Sequence, residues 1–207
     1  MINKKGLVWI IISILLLGFI IGFPTPSITS FLIAFLIIFT SISMKEIASK
    51  YFFVDIEHSI WHFQRYGFYE KSKLKKPFPI GLVLPFVLTF ISLGYVKLLT
   101  LLQFEGKPSK KRILKKRGAV RKSEVKDYDL AFISAWGLWG LVVLAIIGNI
   151  LNFHELSKWA IYYGFWNLIP ISQLDGCKLF FGSFFNWILL VMIYTIALFI
   201  TALILLI

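Results

Sequence analysis

The fold is decided by the stretch Asn167-Leu168-Ile169-Pro170-Ile171-Ser172-Gln173-Leu174-Asp175-Gly176. It places a carboxylate between two apolar runs, residues 159–166 and 183–207, neither of which contains a charged residue. A charge at membrane depth needs a partner, because leaving it unpaired there is costly. Polar backbone at that depth must likewise be enclosed by protein. Residues 167–175 are therefore predicted to be unwound and to direct polar groups into a helical interior.

The composition is that of a membrane protein. Of the 207 residues, 58% are hydrophobic, and several apolar runs approach the roughly 20 residues that a helix needs to cross a bilayer. We predict an all-α polytopic membrane protein with five or six hydrophobic segments. The predicted helices cover residues 6–23, 28–50, 80–102, 130–151, 159–172 and 183–207.

The distribution of basic residues predicts how the chain is oriented in the membrane. Seven Lys and Arg residues lie between Lys45 and Lys76 and ten between Lys107 and Lys126. Because such residues collect in cytoplasmic loops, topology explains the net charge of +12 and no nucleic acid partner is needed. The single cysteine, Cys177, cannot form an internal disulfide. We expect an integral, multi-pass protein of a prokaryotic plasma membrane, with its basic loops in the cytoplasm.

The segment 80–102 does not resemble an ordinary spanning helix. It contains Pro85, Gly94 and Lys97, and it separates two basic segments that both favour the cytoplasmic side. A re-entrant hairpin that enters and leaves on the same side satisfies both observations. A true crossing, with one basic loop outside, is the alternative.

The basic loop 103–129 is the only strongly hydrophilic part of the chain. It is expected to fix the topology as a solvated cytoplasmic segment. Its residues 107–126 are also expected to contact anionic lipid headgroups, an attraction of about 1 kcal/mol for each basic residue near the membrane surface.

A second motif lies near the end of the helix predicted at 28–50. Its sequence is Lys45-Glu46-Ile47-Ala48-Ser49-Lys50-Tyr51. Residues four apart on a helix share one face, so the side chains of Lys45 and Ser49 should point the same way. We expect that face to meet Asp175.

Together the two motifs resemble those of the site-2 proteases, the zinc metalloproteases that cut inside membranes. The stretch 167–176 is similar to that family's Asn-x-x-Pro…Leu-Asp-Gly motif, and residues 45–51 line up with its His-Glu-x-x-His motif. The resemblance implies a three-helix core near residues 28–50, 130–151 and 159–182. The implied organisation is an N-terminal membrane anchor (1–27), a core (28–182) that includes the basic loop, and a C-terminal transmembrane helix (183–207).

The resemblance also implies roles for individual residues. Glu46 retains the position of the family's catalytic glutamate. The family's metal-ligand positions carry Lys45, Ser49 and Asp175, and its substrate-binding positions carry Asn167, Pro170 and Leu174. The chain departs from the family at residues 131–140, which contain neither the proline nor the asparagine expected there.

The replacement of both family histidines removes the metal chemistry. Protonated lysine has no lone pair, and a serine hydroxyl is a poor zinc ligand beside Cys, His and carboxylate. We expect no metal and no cofactor, zinc being the cofactor if the family chemistry survives. Instead, Lys45 is predicted to pair with Asp175 and Ser49 to donate a hydrogen bond to the same carboxylate. Glu46 is predicted to pair with Lys50, four residues later on the helix.

Two rival sites remain open. His58 and His62 could form a metal pair at helical spacing, although two ligands fall short of the three protein ligands of a catalytic zinc. Ser49 and Lys45 could form a nucleophile–base dyad, although nearby carboxylates would keep the lysine protonated.

The function expected from these observations is that of a catalytically inactive site-2-protease-like protein. It would bind a membrane partner or peptide, such as a transmembrane helix of another protein, in addition to the lipid bilayer. One alternative is an active intramembrane zinc metalloendopeptidase with unusual ligands. Another is a structural or transport protein in which Lys45, Glu46, Asp175 and Lys97 line a polar path.

Overall fold

A computed structural model describes residues 4–65, 73–109, 116–117, 120–121 and 125–206. This part of the chain is mostly helical. The helices are α1 (Lys4–Gly22), α2 (Ile28–Phe52), α3 (Ile80–Ile91), α4 (Asp127–Ile150), α5 (His154–Leu168), α6 (Asp175–Gly182) and α7 (Phe184–Leu206). The strands are β1 (Val54–Ile60), β2 (Phe63–Arg65), β3 (Lys73–Phe78), β4 (Leu102–Pro108), β5 (Lys116–Arg117) and β6 (Val120–Arg121).

Three helices, α2, α4 and α7, are long and apolar enough to cross a membrane. They lie where the sequence predicts helices 28–50, 130–151 and 183–207. The helix predicted at 159–172 is offset, since α5 starts at His154 and ends at Leu168, just before Ile169 and Pro170. A residue that precedes proline is disfavoured in helical conformation, and Ile169 is accordingly extended.

Residues 80–102 form a hairpin, as predicted. The prediction that one helix covers this whole range was wrong. Helix α3 accounts for its first half, and Gly94 turns the chain with a φ of 87°. The two arms meet again at Trp61, whose carbonyl accepts from Gly81 N (2.8 Å) and whose N–H donates to Leu101 O (2.9 Å). The hairpin therefore returns to the point where it began.

The expectation of an all-α fold missed the strands. Strands β1 and β4 pair antiparallel along their whole length, with His58 opposite Phe104. Along β1, residues 54, 56, 58 and 60 are buried and alternate with more exposed ones. The two remaining strand pairs, β2–β3 and β5–β6, are also antiparallel. Within the basic loop 103–129, residues 110–115, 118–119 and 122–124 lie outside the described residues, and all of them belong to 107–126. The first residues of the loop belong to β4.

Helices α2 and α4 pack antiparallel in the centre of the molecule. Small residues allow this approach, because a Cβ on Gly140 would lie 2.6 Å from Met44 Cγ and one on Gly137 would lie 2.5 Å from Lys45 Cε. Phe23 and Lys97 meet at the end of the molecule where α2 begins, which we call the distal end. The opposite end, with the end of α2, the start of α4 and the β1–β4 sheet, is the site end.

Candidate functional site

Lys45 lies in the last two turns of α2, with its side chain directed into the protein. The residue is only 6% exposed. Its methylene chain passes over Gly137 of α4, where any larger residue would collide with it. The absence of a side chain at Gly137 thus leaves the space between the two helices that the methylene chain of Lys45 fills.

The ammonium group of Lys45 forms an ion pair with Asp175. Its Nζ lies 2.5 Å from Asp175 Oδ2, and the two side chains are 8% and 4% exposed. These residues are 130 positions apart in the chain, so only the tertiary fold brings them together. The pair predicted from the two motifs is therefore present.

Asp175 is positioned by a tight crossing between the end of α5 and the start of α6. Asp175 is the first residue of α6, where the helix dipole favours a negative charge. The next residue, Gly176, lies against the end of α5, since a Cβ there would be 2.0 Å from Leu168 O. In the Leu-Asp-Gly sequence, Gly176 is thus required on steric grounds, and Asp175 supplies the charged group.

Lys178 is a second cation at the site, and sequence reasoning missed it. Its Nζ donates to Phe104 O (2.6 Å) and Gln173 O (3.0 Å) and lies 3.6 Å from the centroid of the Phe104 ring. Burial lowers the pKa of Lys178 to about 8, although the Asp175 carboxylate acts in the opposite direction. Its position three residues after Asp175 on a helix was the available signal.

The structure corrects the helical placement of His58, on which the rival metal pair with His62 depended. His58 lies on β1, not on a helix, so it does not form a helical metal pair with His62. Burial, and then the charge of Lys45, lower the pKa of His58 to about 3, so the imidazole is neutral at pH 7. Its Nε2 is buried and has no hydrogen-bond partner among the described residues. The period-two alternation in Val54-Asp55-Ile56-Glu57-His58-Ser59-Ile60 could have revealed the strand and its inward face.

The Ser49 hydroxyl does not donate to Asp175, which corrects the predicted hydrogen bond. This hydroxyl, in a residue only 2% exposed, donates to Glu46 O at 2.8 Å. Serine in a helix commonly satisfies its hydroxyl on a carbonyl of the preceding turn, because that acceptor is already within reach. Because the Ser49 hydroxyl donates to Glu46 O and Lys45 donates to Asp175, the structure does not support a nucleophile–base dyad of Ser49 and Lys45.

The predicted pair between Glu46 and Lys50 is also wrong. The ion pairs within the described part of the chain are Lys45–Asp175 and Lys107–Glu57. Glu46 is half-buried and follows Lys45 directly, so it lies about 100° around the helix from the site. Lys50 is exposed to the surroundings, where an ordered pair gains little.

The three predicted substrate-binding residues lie close together in the chain but in different environments. Asn167 is buried in α5, with its amide donating to Tyr163 O at 2.8 Å. Leu174 is buried just before α6, whereas Pro170 is exposed. The connection between them is tied to β4 through Gln173 Oε1, which accepts from Gln103 Nε2 at 3.0 Å. Their role in substrate binding stays a prediction.

The side chains at the site do not fit a zinc ion. A catalytic zinc needs three protein ligands, and Lys45 already occupies one carboxylate oxygen of Asp175. Two buried atoms nearby, Asp175 Oδ1 and His58 Nε2, have no hydrogen-bond partner among the described residues. The positive charges of Lys45 and Lys178 also act there, which disfavours a metal cation. Across the described residues, no group of three or more His, Cys, Asp and Glu side chains could hold a metal ion.

Lys97 does not belong to this site. Its ammonium group bonds to the carbonyls of Ile21 and Phe23 at the distal end, whereas Lys45 lies 17 residues, or about 26 Å, along α2 from Ile28. Lys97 and Asp175 are therefore not in contact, and the polar path suggested for a transport protein stays a prediction.

No family model, no curated protein and no solved structure matches this chain. The resemblance to the site-2 proteases thus rests on the motif residues themselves.

Proposed function

We propose that this chain is a catalytically inactive relative of the site-2 proteases that holds a membrane partner instead of cutting it. The observation that carries the proposal is the buried contact between Lys45 Nζ and Asp175 Oδ2. Both residues stand where the resemblance implies metal ligands. The contact supports the proposal because it joins two positions, 130 residues apart, that the resemblance assigns to one site.

The ammonium group performs the electrostatic part of a metal ion's task. A carboxylate in a low-dielectric interior needs a cation, which zinc supplies in an active protease and lysine supplies here. Lysine cannot perform the chemical part, because it has no vacant orbital with which to activate water or polarise a carbonyl. Because the Ser49 hydroxyl donates to its own helix, Ser49 does not replace the lost activation. We infer that Glu46 has no catalytic role.

The connection between α5 and α6 is the part of the site that a partner could reach. Ile171 is 50% exposed, and Ser172 and Gln173 beside it are exposed, whereas Asp175 is buried only two residues further on. This non-helical segment offers polar backbone and an apolar side chain together, which suits an extended or locally unwound membrane segment. We place the protein in a prokaryotic plasma membrane with the site end toward the cytoplasm, following the basic loops.

Restoring the family's histidines is expected to create a zinc site. In the variant Lys45→His/Ser49→His, two imidazoles at i and i+4 would share the face of α2 that meets Asp175, which completes three protein ligands. We expect about one zinc per chain in the purified variant and none in the wild type, measured by elemental analysis after dialysis. Stoichiometric zinc in the wild type would mean an active metalloprotease with other ligands.

A third substitution provides the control for that experiment. Lys45→His/Ser49→His/Asp175→Asn keeps both histidines and loses the carboxylate, so its zinc content should fall well below that of the double variant. Equal zinc in the two variants would place the metal elsewhere. Absence of zinc from the double variant would contradict the inherited geometry.

Partner binding can be tested at Ile171. A photo-crosslinking amino acid there is expected to give a discrete protein adduct in native membranes, because the side chain is exposed beside the site. The matched control is Ile146 of α4, which is 53% exposed and should contact lipid alone. The same adduct at both positions, or none at Ile171, would contradict a bound partner.

A further inference from the structure

A cavity of about 400 Å³ lies at the distal end, far from the Lys45–Asp175 pair. It is bounded by the tip of the hairpin, the first turns of α5 and the second half of α7. Its walls include Tyr95, Lys97, Lys158, Trp159, Tyr162 and Leu198. Nothing in the proposed function uses this cavity.

Two ammonium groups lie near one aromatic ring in the wall. Nζ of Lys97 lies 5.1 Å and Nζ of Lys158 lies 5.4 Å from the centroid of the Trp159 ring. Lys97 is held in place by Ile21 O (2.8 Å) and Phe23 O (3.1 Å), the last carbonyls of the α1 region. An ammonium group has three donors, so one remains after these two bonds. Lys158 has no hydrogen-bond acceptor within the described residues.

The charges around the cavity favour an anion. Glu155 is the acidic group nearby, and its Oε2 accepts a hydrogen bond from Trp159 Nε1 at 3.0 Å. Two lysines and one glutamate leave an excess of one positive charge. Burial and the charge of Lys158 lower the pKa of Lys97, with Glu155 acting in the opposite direction. An anion between the two lysines would relieve this repulsion.

The surroundings of the cavity are those of a membrane interface. One wall is α7, a candidate membrane span, whose Leu198 faces the cavity and whose Phe199 and Ile200 are 66% and 50% exposed. At the hairpin tip, Tyr95 is 91% exposed. Aromatic residues are enriched where headgroups meet hydrocarbon. A free anion would use the lysines but would gain nothing from the apolar wall.

We propose that this cavity binds an anionic phospholipid, whose headgroup phosphate lies between Lys97 and Lys158 and whose acyl chains follow α7. The lipid belongs to the leaflet at the distal end, opposite the basic loops. It would join the hairpin tip, α5 and α7 at a place where protein contacts alone leave a void.

The test measures phosphatidylglycerol bound to purified protein by native mass spectrometry, with phosphatidylcholine as the neutral comparison. Lys158→Gln is expected to weaken phosphatidylglycerol binding about fivefold, and Lys97→Gln/Lys158→Gln about 25-fold, from about 1 kcal/mol for each basic residue. Lys50→Gln, which removes an exposed lysine at the site end, should leave binding unchanged. The basic loop is identical in all variants, so its own lipid contacts cancel.

Three further results would overturn the proposal. The first is equal retention of phosphatidylglycerol by the wild type and Lys158→Gln, a variant that removes no hydrogen bond seen within the described residues. The second is displacement of the lipid-dependent signal by millimolar inorganic phosphate, which would identify the occupant as a free anion. Preference for phosphatidylcholine would likewise exclude an anionic headgroup.

Discussion

Replacing Lys45 by methionine is expected to lower the free energy of unfolding by about 3–5 kcal/mol, because it leaves the Asp175 carboxylate buried without its partner. The Asp175 side chain is 4% exposed, so water cannot take the place of the ammonium group. Its other oxygen, Oδ1, has no hydrogen-bond partner among the described residues to compensate. Asp175→Asn should be similarly destabilising, since it leaves the ammonium group unpaired.

Removing both charges together is expected to recover most of the stability. In Lys45→Met/Asp175→Leu the site becomes apolar, and replacing a buried ion pair by packed hydrophobic residues is often neutral or stabilising. The measurement is a double-mutant cycle on unfolding in detergent, with the coupling energy as the readout. Strictly additive single effects, or a wild-type-like Lys45→Met, would contradict the pairing.

The exposed ion pair between Lys107 and Glu57 provides a matched control. Its Nζ–Oε2 distance of 2.8 Å is comparable, but the two side chains are 60% and 48% exposed. Lys107→Met should therefore leave the free energy of unfolding close to that of the wild type. The contrast between the two lysine variants isolates burial as the source of the large effect.

Substituting Gly176 by alanine is expected to prevent the site from forming. The added Cβ would lie 2.0 Å from Leu168 O and 2.3 Å from Leu168 C, both backbone atoms that cannot rotate away. Leu168 O is also fixed from the other side, where Trp187 Nε1 donates to it at 3.0 Å. The crossing of α5 and α6 must open, which displaces Asp175 from Lys45. We expect a loss of about 3 kcal/mol or more, at or beyond the upper end of overpacking effects.

Gly148 of α4 is the control position for this substitution. A Cβ there would meet Ser157 N at 3.2 Å, a contact that a shift of a few tenths of an ångström relieves. Alanine also has the higher helix propensity, by about 1 kcal/mol. Gly148→Ala should therefore fold and stay within about 1 kcal/mol of the wild type, as measured by thermal unfolding in detergent. Equal stability of the two alanine variants would show that the α5–α6 crossing tolerates expansion.

Local sequence patterns were sufficient for the long helices. Apolar runs locate α2, α4 and α7 because a helix that faces lipid must be apolar along its whole length. The hairpin at 80–102 followed from Gly94 and from the charges on both sides of the segment. Its return arm could not be distinguished from helix, because the apolar sequence after Gly94 carries no periodicity that separates extended chain from helix.

The β-strands are the part of the fold that the sequence prediction missed. Strand β1 alternates in the manner of a half-buried strand, but its partner β4 lies about forty residues away in the chain, beyond the hairpin. Pairing over that distance depends on the hairpin bringing the two segments together. The inward position of His58 follows from the strand, so an error in secondary structure became an error about the site.

The sequence by itself determined the long apolar helices, the break after α5 and the chemical need of Asp175 for a cation, because apolar length, proline and the cost of a buried charge act locally. Only the tertiary structure decided which groups meet that carboxylate. It gave the carboxylate Lys45 and not Ser49 as its partner. It also placed Lys178 and His58 near enough to Asp175 for the charges to interact, and it placed the Phe104 ring against the ammonium groups of Lys45 and Lys178. Helical periodicity fixes the direction of a side chain, but the packing of α2, α4, α6 and the β1–β4 sheet fixes which distant group it reaches.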